Sequence, residues 1–383
     1  MTKINRMRIR GFRRLEDVDL RVKPFLVAIG ANGVGKSSLL DAFSLLSASA
    51  SGKLSESVSR LGGITSLLTR GRAEELSLLA HMDVPGHLNL EYEVRLVPRS
   101  GGYAIAAEVL SQLREGYAQP FKYIDSKEGG IKYYDVAAKR LVQPEWEPDP
   151  LETSLSQVPK LYREPEKLRR TLATATRCHA LEVGPRAPVK LPQPMRPAVL
   201  PGSSGEDLVP YLYYLRETEE HRFSAIVDSL RAAFPGFESL GFPPVAAGML
   251  SMTWKERGFA RPINIHELSE GTLRFLWLVS LLQSPALSTV TMIDEPEVSL
   301  HPELLSLLAD LMREASKRTQ LIVATHSDRF IRFLRPEEVV VVMDIAETGG
   351  STATWADTMD LDEWLADYSL DEVWRLGRMG GRS

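Results

Sequence analysis

The chain has 383 residues, 44% hydrophobic and 25% charged, with a formal net charge of −4. This is the make-up of an ordinary globular protein of up to two or three domains with a sizeable core, and it excludes a uniformly basic nucleic-acid binder. One cysteine, Cys178, excludes an internal disulfide and fits a reducing cytoplasm, and the longest apolar stretch near a helix, 275–282, is too short to span a membrane.

Residues 1–10 alternate apolar Ile4, Met7 and Ile9 with basic residues, the pattern of an edge strand rather than of a signal peptide. Gly11-Phe12-Arg13-Arg14 turns the chain into a second alternating run, 18–22. Residues 24–29 form a continuous apolar run, as in a buried strand. Residues 30–35 break it, and 36–47 carry helical spacing through Leu39, Leu40, Phe43 and Leu46. Residues 75–82, 88–97 and 103–110 read as antiparallel strands, with turns at 84–87 and 98–102. A proline-rich excursion over 144–201 has no long period and holds one predicted helix, 164–175. Residues 205–216 and 221–234 read as helices, the second ending before Pro235-Gly236, and 246–257 as a hairpin. From residue 270 helices and strands alternate: helix 270–283, strand 287–293, helix 302–316, strand 320–325, short helix 328–334 and strand 339–343. That order predicts a largely parallel sheet with right-handed crossovers. The sequence carries no internal repeat and no heptad run.

Four segments carry chemistry. Gly30-Ala31-Asn32-Gly33-Val34-Gly35-Lys36-Ser37 fits G-x-x-x-x-G-K-[ST] between a predicted strand and a predicted helix, which is the context the motif requires. Its glycines let backbone N–H groups face phosphate oxygens at a helix N-terminus. Lys36 would reach the β- and γ-phosphates and Ser37 would ligate Mg²⁺. Val290-Thr291-Met292-Ile293-Asp294-Glu295 reads as a Walker B segment: a buried strand presenting Asp294 to Mg²⁺ and Glu295 to the attacking water. His326 ends the apolar run 321–325. A lone histidine there is more often structural, but after the first two motifs it reads as a partner of the γ-phosphate or the water. Ser269, with Gly271, opens a helix. It is an N-cap by default, and the same geometry makes a phosphate site. One nucleotide can use two such helix ends only if they face it from opposite sides.

Together these segments resemble the ABC-type ATPases of the RecF/SMC-like branch, and within it a bacterial group of AAA-type "predicted ATPases". The residues that carry the resemblance are Gly11-Phe12-Arg13-Arg14-Leu15, the P-loop, Leu61-Gly62-Gly63, Gly205-Glu206-Asp207-Leu208, Leu268-Ser269-Glu270-Gly271-Thr272, Asp294-Glu295-Pro296-Glu297, Ser299-Leu300-His301-Pro302, Ala324-Thr325-His326-Ser327 and the tail around Trp374. The resemblance implies an α/β P-loop NTPase of the ABC-head type, with a mostly parallel core sheet, an antiparallel β subdomain and a helical or irregular insertion. It divides the chain into 1–115 and 263–345 as the two ATPase lobes, 116–204 as the insertion, 205–262 as a helical subdomain and 346–383 as a docking tail. It implies ATP held by Asn32, Gly33, Gly35, Lys36, Ser37 and Ser38, Mg²⁺ on Ser37 and Asp294, and catalysis by Lys36, Glu295 and His326. It further implies an ATP-dependent head-to-tail homodimer in which Ser269 and Gly271 of one copy close over the nucleotide of the other. Arg13 would lie near the nucleotide, or merely pack the turn. The Q-loop glutamine has no clear position, Gln112 being a weak candidate.

Three roles follow: a DNA- or partner-coupled ATPase, an ATPase switch over an effector in phage defence or a toxin system, and, against the Phe-Arg turn and the Leu-His-Pro segment, a transporter ATPase. For DNA, Lys3, Arg6, Arg8, Arg10, Arg13 and Arg14 form a basic stripe, since alternate residues of a strand share a face. A second cluster, Arg163, Lys167, Arg169, Arg170 and Arg177, is interleaved with Glu164 and Glu166 and reads first as a solvated face.

Overall fold

Alternation along the first strand and continuity along the third set up two different sheets. The computed structural model describes residues 3–83, 89–113, 119–128, 130–159, 163–345 and 348–379; the turn expected at 84–87 lies outside them. The elements in chain order are β1 (Lys3–Phe12), β2 (Leu15–Arg21), β3 (Phe25–Ile29), α1 (Lys36–Ser51), α2 (Leu54–Arg60), α3 (Ile64–Leu67), β4 (Leu76–Asp83), β5 (Leu90–Arg99), β6 (Gly102–Gln112), β7 (Phe121–Lys127), β8 (Tyr133–Asp135) and β9 (Arg140–Val142). They continue with α4 (Ser154–Gln157), α5 (Arg163–Ala173), β10 (Thr176–Cys178), β11 (Gln193–Pro194), α6 (Leu208–Thr218), α7 (Glu220–Ala233), β12 (Phe237–Gly241), β13 (Pro244–Val245), β14 (Met249–Leu250), β15 (Thr253–Glu256) and β16 (Ile263–Asn264). The last are α8 (Glu270–Gln283), β17 (Val290–Asp294), α9 (Glu303–Ser316), β18 (Gln320–Ala324), α10 (Asp328–Ile331), β19 (Val339–Asp344), β20 (Ser351–Trp355), α11 (Asp362–Leu365) and α12 (Leu370–Arg375).

One sheet runs β2-β1-β4-β5-β6-β7-β8-β9, antiparallel throughout; the other runs β10-β17-β18-β3-β19-β20, parallel except at β20. The parallel sheet is buried on both faces. Leu26 and Ala28 of β3 join α1 and the antiparallel sheet in one core, while Phe25, Val27 and Ile29 join α8 and α9 in the other. A strand with a core on each face needs apolar side chains at every position, which is why 24–29 shows no alternation.

Three expectations are corrected. β1 is not an edge strand: β2 and β4 pair with it on either side. Residues 246–257 are not one hairpin, because β14 pairs with β11 and β13 whereas β15 pairs with β12 and β16. The proline-rich excursion contains a core strand, β10, only three residues long and without any periodic signal. The tail packs on the core: Trp355 donates its indole N–H to the Arg21 carbonyl, and Val373 and Trp374 are buried.

Candidate functional site

The ends of β3, β17 and β18, adjacent and parallel, deliver the chemistry to one edge of the sheet. After β3 the chain turns through the P-loop into α1. Gly35 takes the N-cap at φ 108°, a left-handed backbone that a side chain would strain, and no side chain caps the helix. The first N–H groups of α1 are therefore left to an anion. Lys36 Nζ donates to the carbonyls of Gly30 at 2.7 Å and Ala31 at 2.9 Å. Burial pulls its ammonium below the usual lysine range, opposed by Glu295, Asp294 and Glu297. Asn32, Gly33 and Ser37 are exposed on the loop and first turn, and Ser38 is buried behind them.

Asp294 ends β17. Glu295 follows with a left-handed backbone at φ 51°, tied down by its N–H to the Ala324 carbonyl at 2.8 Å. Such strain in a non-glycine residue recurs at functional sites. His326, just past β18, brings Nδ1 to 2.9 Å from Glu295 Oε1, and the two side chains are 47% and 43% exposed. Glu297 is buried beneath them. Its Oε1 accepts from Thr325 Oγ1 at 2.5 Å, its Oε2 has no partner among the described residues, and burial pushes its carboxyl above the usual range. Ser37 and Asp294 supply two hard oxygen donors. Among the described residues no group of three or more His, Cys, Asp or Glu could hold a metal. That donor set suits Mg²⁺ shared with phosphate oxygens rather than caged by protein.

Arg177, read from sequence with the basic cluster, belongs to this site. β10 runs parallel to β17 with Arg177 opposite Met292 and Cys178 opposite Ile293. The guanidinium donates to Asp294 Oδ2 at 3.0 Å and to Asp41 Oδ1, and Asp41 also accepts from Arg13. Arg13 thus points at α1 through Asp41. Its neighbour Arg14, read from sequence with the basic stripe, touches the P-loop itself, donating to the Gly33 carbonyl at 2.8 Å. Beside that contact opens a cleft lined by Arg13, Arg14, Ser66, Thr69, Arg70 and Arg72. His179, the residue after β10, lines a small cavity with Asp294 and Glu295. No motif marks Arg177 or His179; the only signal is that they leave a strand beside β17. Gln112 lies instead at the end of β6 and accepts from Tyr123.

The start of α8 is built differently. Ser269 Oγ accepts the Thr272 N–H at 3.1 Å, closing the cap. A Cβ at Gly271 would lie 2.6 Å from the Ser299 carbonyl oxygen, so glycine here admits the segment after β17. Ser299 has φ 62° and its hydroxyl accepts from Arg274 at 3.1 Å. Among the described residues no hydrogen bond or ion pair joins Ser269 or Gly271 to the P-loop of the same chain.

The expected DNA patches are partly paired with carboxylates, two arginines sharing each of Asp17 and Glu166. Arg6 pairs with Asp19, and Arg8 and Arg10 pair with Asp17 across β1 and β2. Arg169 and Arg170 both pair with Glu166.

Over residues 25–332 the sequence matches the family described as "AAA domain, putative AbiEii toxin, Type IV TA system". No curated protein matches it. Among solved structures, an Smc head bound to the C-winged helix domain of ScpA is similar with a TM-score of 0.58 at 16% identity, over 92% of this chain and 97% of that one. An Smc head with an extended coiled coil, bound to the C-terminal domain of ScpA derived from Pyrococcus furiosus, is similar with a TM-score of 0.56 at 15% identity, over 96% of this chain and 100% of that one. At such identities the likeness is one of fold: a P-loop NTPase of the SMC-head type.

Proposed function

This chain belongs to the AAA-domain family matched over residues 25–332, and on that premise we propose that it is an Mg²⁺-dependent ATPase whose ATP-bound form is a head-to-tail dimer acting on a partner protein. The observation that carries the reading is the convergence of Lys36, Asp294, Glu295 and His326 at adjacent ends of β3, β17 and β18, with Glu295 and His326 in contact at 2.9 Å.

Backbone N–H groups at the start of α1 bind the phosphates, and Lys36 leaves the Gly30 and Ala31 carbonyls for the β- and γ-phosphate oxygens. Ser37 and Asp294 would hold Mg²⁺, which would offset phosphate charge when bound. Glu295 orients a water and takes its proton as the water oxygen attacks the γ-phosphorus. The bond from that phosphorus to the β–γ bridging oxygen breaks, giving ADP and phosphate. His326 holds the Glu295 carboxylate through Nδ1. The Ser269 hydroxyl and the α8 N-terminus of a second copy complete the site, which fits their lack, among the described residues, of any hydrogen bond to the P-loop of their own chain.

Between DNA and a protein as the object of this cycle, two observations favour a protein. The arginine rows that suit phosphate contacts are paired with carboxylates on the same surface. The family description speaks of a toxin system, and the similar Smc heads are bound to ScpA. An effector switch of the toxin or phage-defence kind is therefore the reading carried forward.

Glu295→Gln decides it. The variant retains ATP binding, loses turnover by about 10²- to 10⁴-fold and accumulates as dimer with ATP. Light scattering that finds only monomer with ATP sinks the dimer, and unchanged turnover sinks the catalytic assignment. A pull-down with the same variant, analysed for protein and nucleic acid, separates the two partner classes.

A further inference from the structure

Arg177 stands on an element with no sequence motif, yet it holds the carboxylate that ends β17. Its side chain is only 16% exposed. One guanidinium nitrogen serves Asp41 on α1 and the other Asp294 Oδ2 at 3.0 Å, while Nε is buried with no partner among the described residues. The charged groups around this pair include others: Asp41 also accepts from Arg13, Lys36 interacts with Asp294 as a further cation, and His179 and Glu295 line a cavity with Asp294. Two carboxylates, on the P-loop helix and on the Walker B strand, thus share one buried cation that the chain itself supplies.

Two cations cannot occupy one carboxylate edge at full strength. The charge of Arg177 repels a divalent ion approaching Asp294, and the ion competes for the oxygen that Arg177 holds. We infer that Arg177 is the resident counter-ion of Asp294, a positioning residue that yields this carboxylate to the divalent cation and sets how much cation the site requires. The inference rests on Asp294 being the cation ligand. On cation arrival Arg177 keeps Asp41, so the β10 strand stays latched to α1 while Asp294 turns to the metal. A packing arginine would have no reason to bridge these two carboxylates in particular.

The test uses the full chain and Mn²⁺ as the probe, with free Mn²⁺ read from its electron paramagnetic resonance signal, first without nucleotide and then with saturating ADP. Arg177→Gln removes the competing charge and should bind Mn²⁺ about tenfold more tightly. Arg177→Lys, which keeps the charge, should stay close to the parent. Asp41→Asn releases the other arm of Arg177 onto Asp294 and should weaken Mn²⁺ binding. The opposite signs of Arg177→Gln and Asp41→Asn are the signature. Equal or weaker binding by Arg177→Gln, or loss in both variants, is what a purely structural arginine gives and overturns the inference. If Arg177→Gln fails to fold by circular dichroism, Asp41→Asn decides: unchanged or tighter binding overturns the inference. Because the readout is cation binding, absence of ATP turnover would defeat the enzymatic reading while leaving this result standing.

Discussion

Two helix starts in this molecule carry anion-binding signatures, and they are finished in opposite ways. α1 begins at Gly35 with no side-chain cap, its lysine parked on loop carbonyls. α8 begins at Ser269, which caps the helix itself, with Gly271 pressed against Ser299. The first is incomplete without a ligand. The second is already satisfied within its own chain and has only spare donors to offer. The same chemical vocabulary therefore makes a primary binding loop in one place and, we propose, a closing surface for another copy in the other. The segment 294–299 joins them: Asp294 and Glu295 serve the α1 side and Ser299 the α8 side.

Variants at the two starts should separate ligand affinity from folding stability. Lys36→Ala is expected to act most strongly, weakening ATP binding by about 10- to 100-fold through loss of charged hydrogen bonds, with little change in unfolding midpoint. A large stability loss with unchanged ATP affinity would reverse the contrast. Gly271→Ala should behave the other way. Its Cβ meets a backbone oxygen at 2.6 Å, so the nucleotide-free chain should lose about 1–3 kcal/mol in denaturant unfolding. A charged substitution there would report the same clash before any effect on a partner's phosphate, so Gly271 is a poor probe of dimer closure.

Ser269 is the better probe. Ser269→Ala should cost about 1 kcal/mol and Ser269→Gly only a few tenths, since glycine tolerates the N-cap backbone. Both should lower ATP-dependent dimerisation equally if the hydroxyl faces a second copy's nucleotide. Full dimerisation by Ser269→Gly would leave the hydroxyl a cap and nothing more. The smallest effect is expected at Glu297, on the joining segment. Its carboxyl titrates above the usual range because burial favours the neutral form. The folded state therefore holds a proton that the unfolded chain releases. The resulting stability is complete below the ordinary glutamate range and is lost as pH rises through the folded value. Unfolding midpoints measured across mildly acidic pH should decline for the parent and flatten for Glu297→Gln; identical slopes would remove Glu297 from that account.

Much of the site is legible because its parts are local. A buried strand, a glycine turn and a helix start are consecutive along the chain, so the P-loop and the Asp294-Glu295 strand end are visible in residue type and spacing. Continuous apolar runs also located β3, β17, β18 and β19 within a few residues. β10 escaped because three residues carry no period, and the hairpin over 246–257 failed because strand-forming runs do not name their partners. The pairing of the arginine stripe on β1 was hidden for a related reason. Alternation put its side chains on one face but could not tell that Asp17 and Asp19 of β2 lie against them.

The sequence by itself determined the glycine loop, the carboxylate pair at the end of β17 and the self-capped start of α8, since each depends on neighbours a few positions away. The tertiary structure alone decided which charges are free. Arg177 reaches Asp41 and Asp294 across 136 and 117 positions, and Gly271 is glycine because Ser299 passes beside it. Electrostatic attraction and steric exclusion act through distances in space, and only the packing of β10 on β17 and of the 294–299 segment on α8 sets those distances.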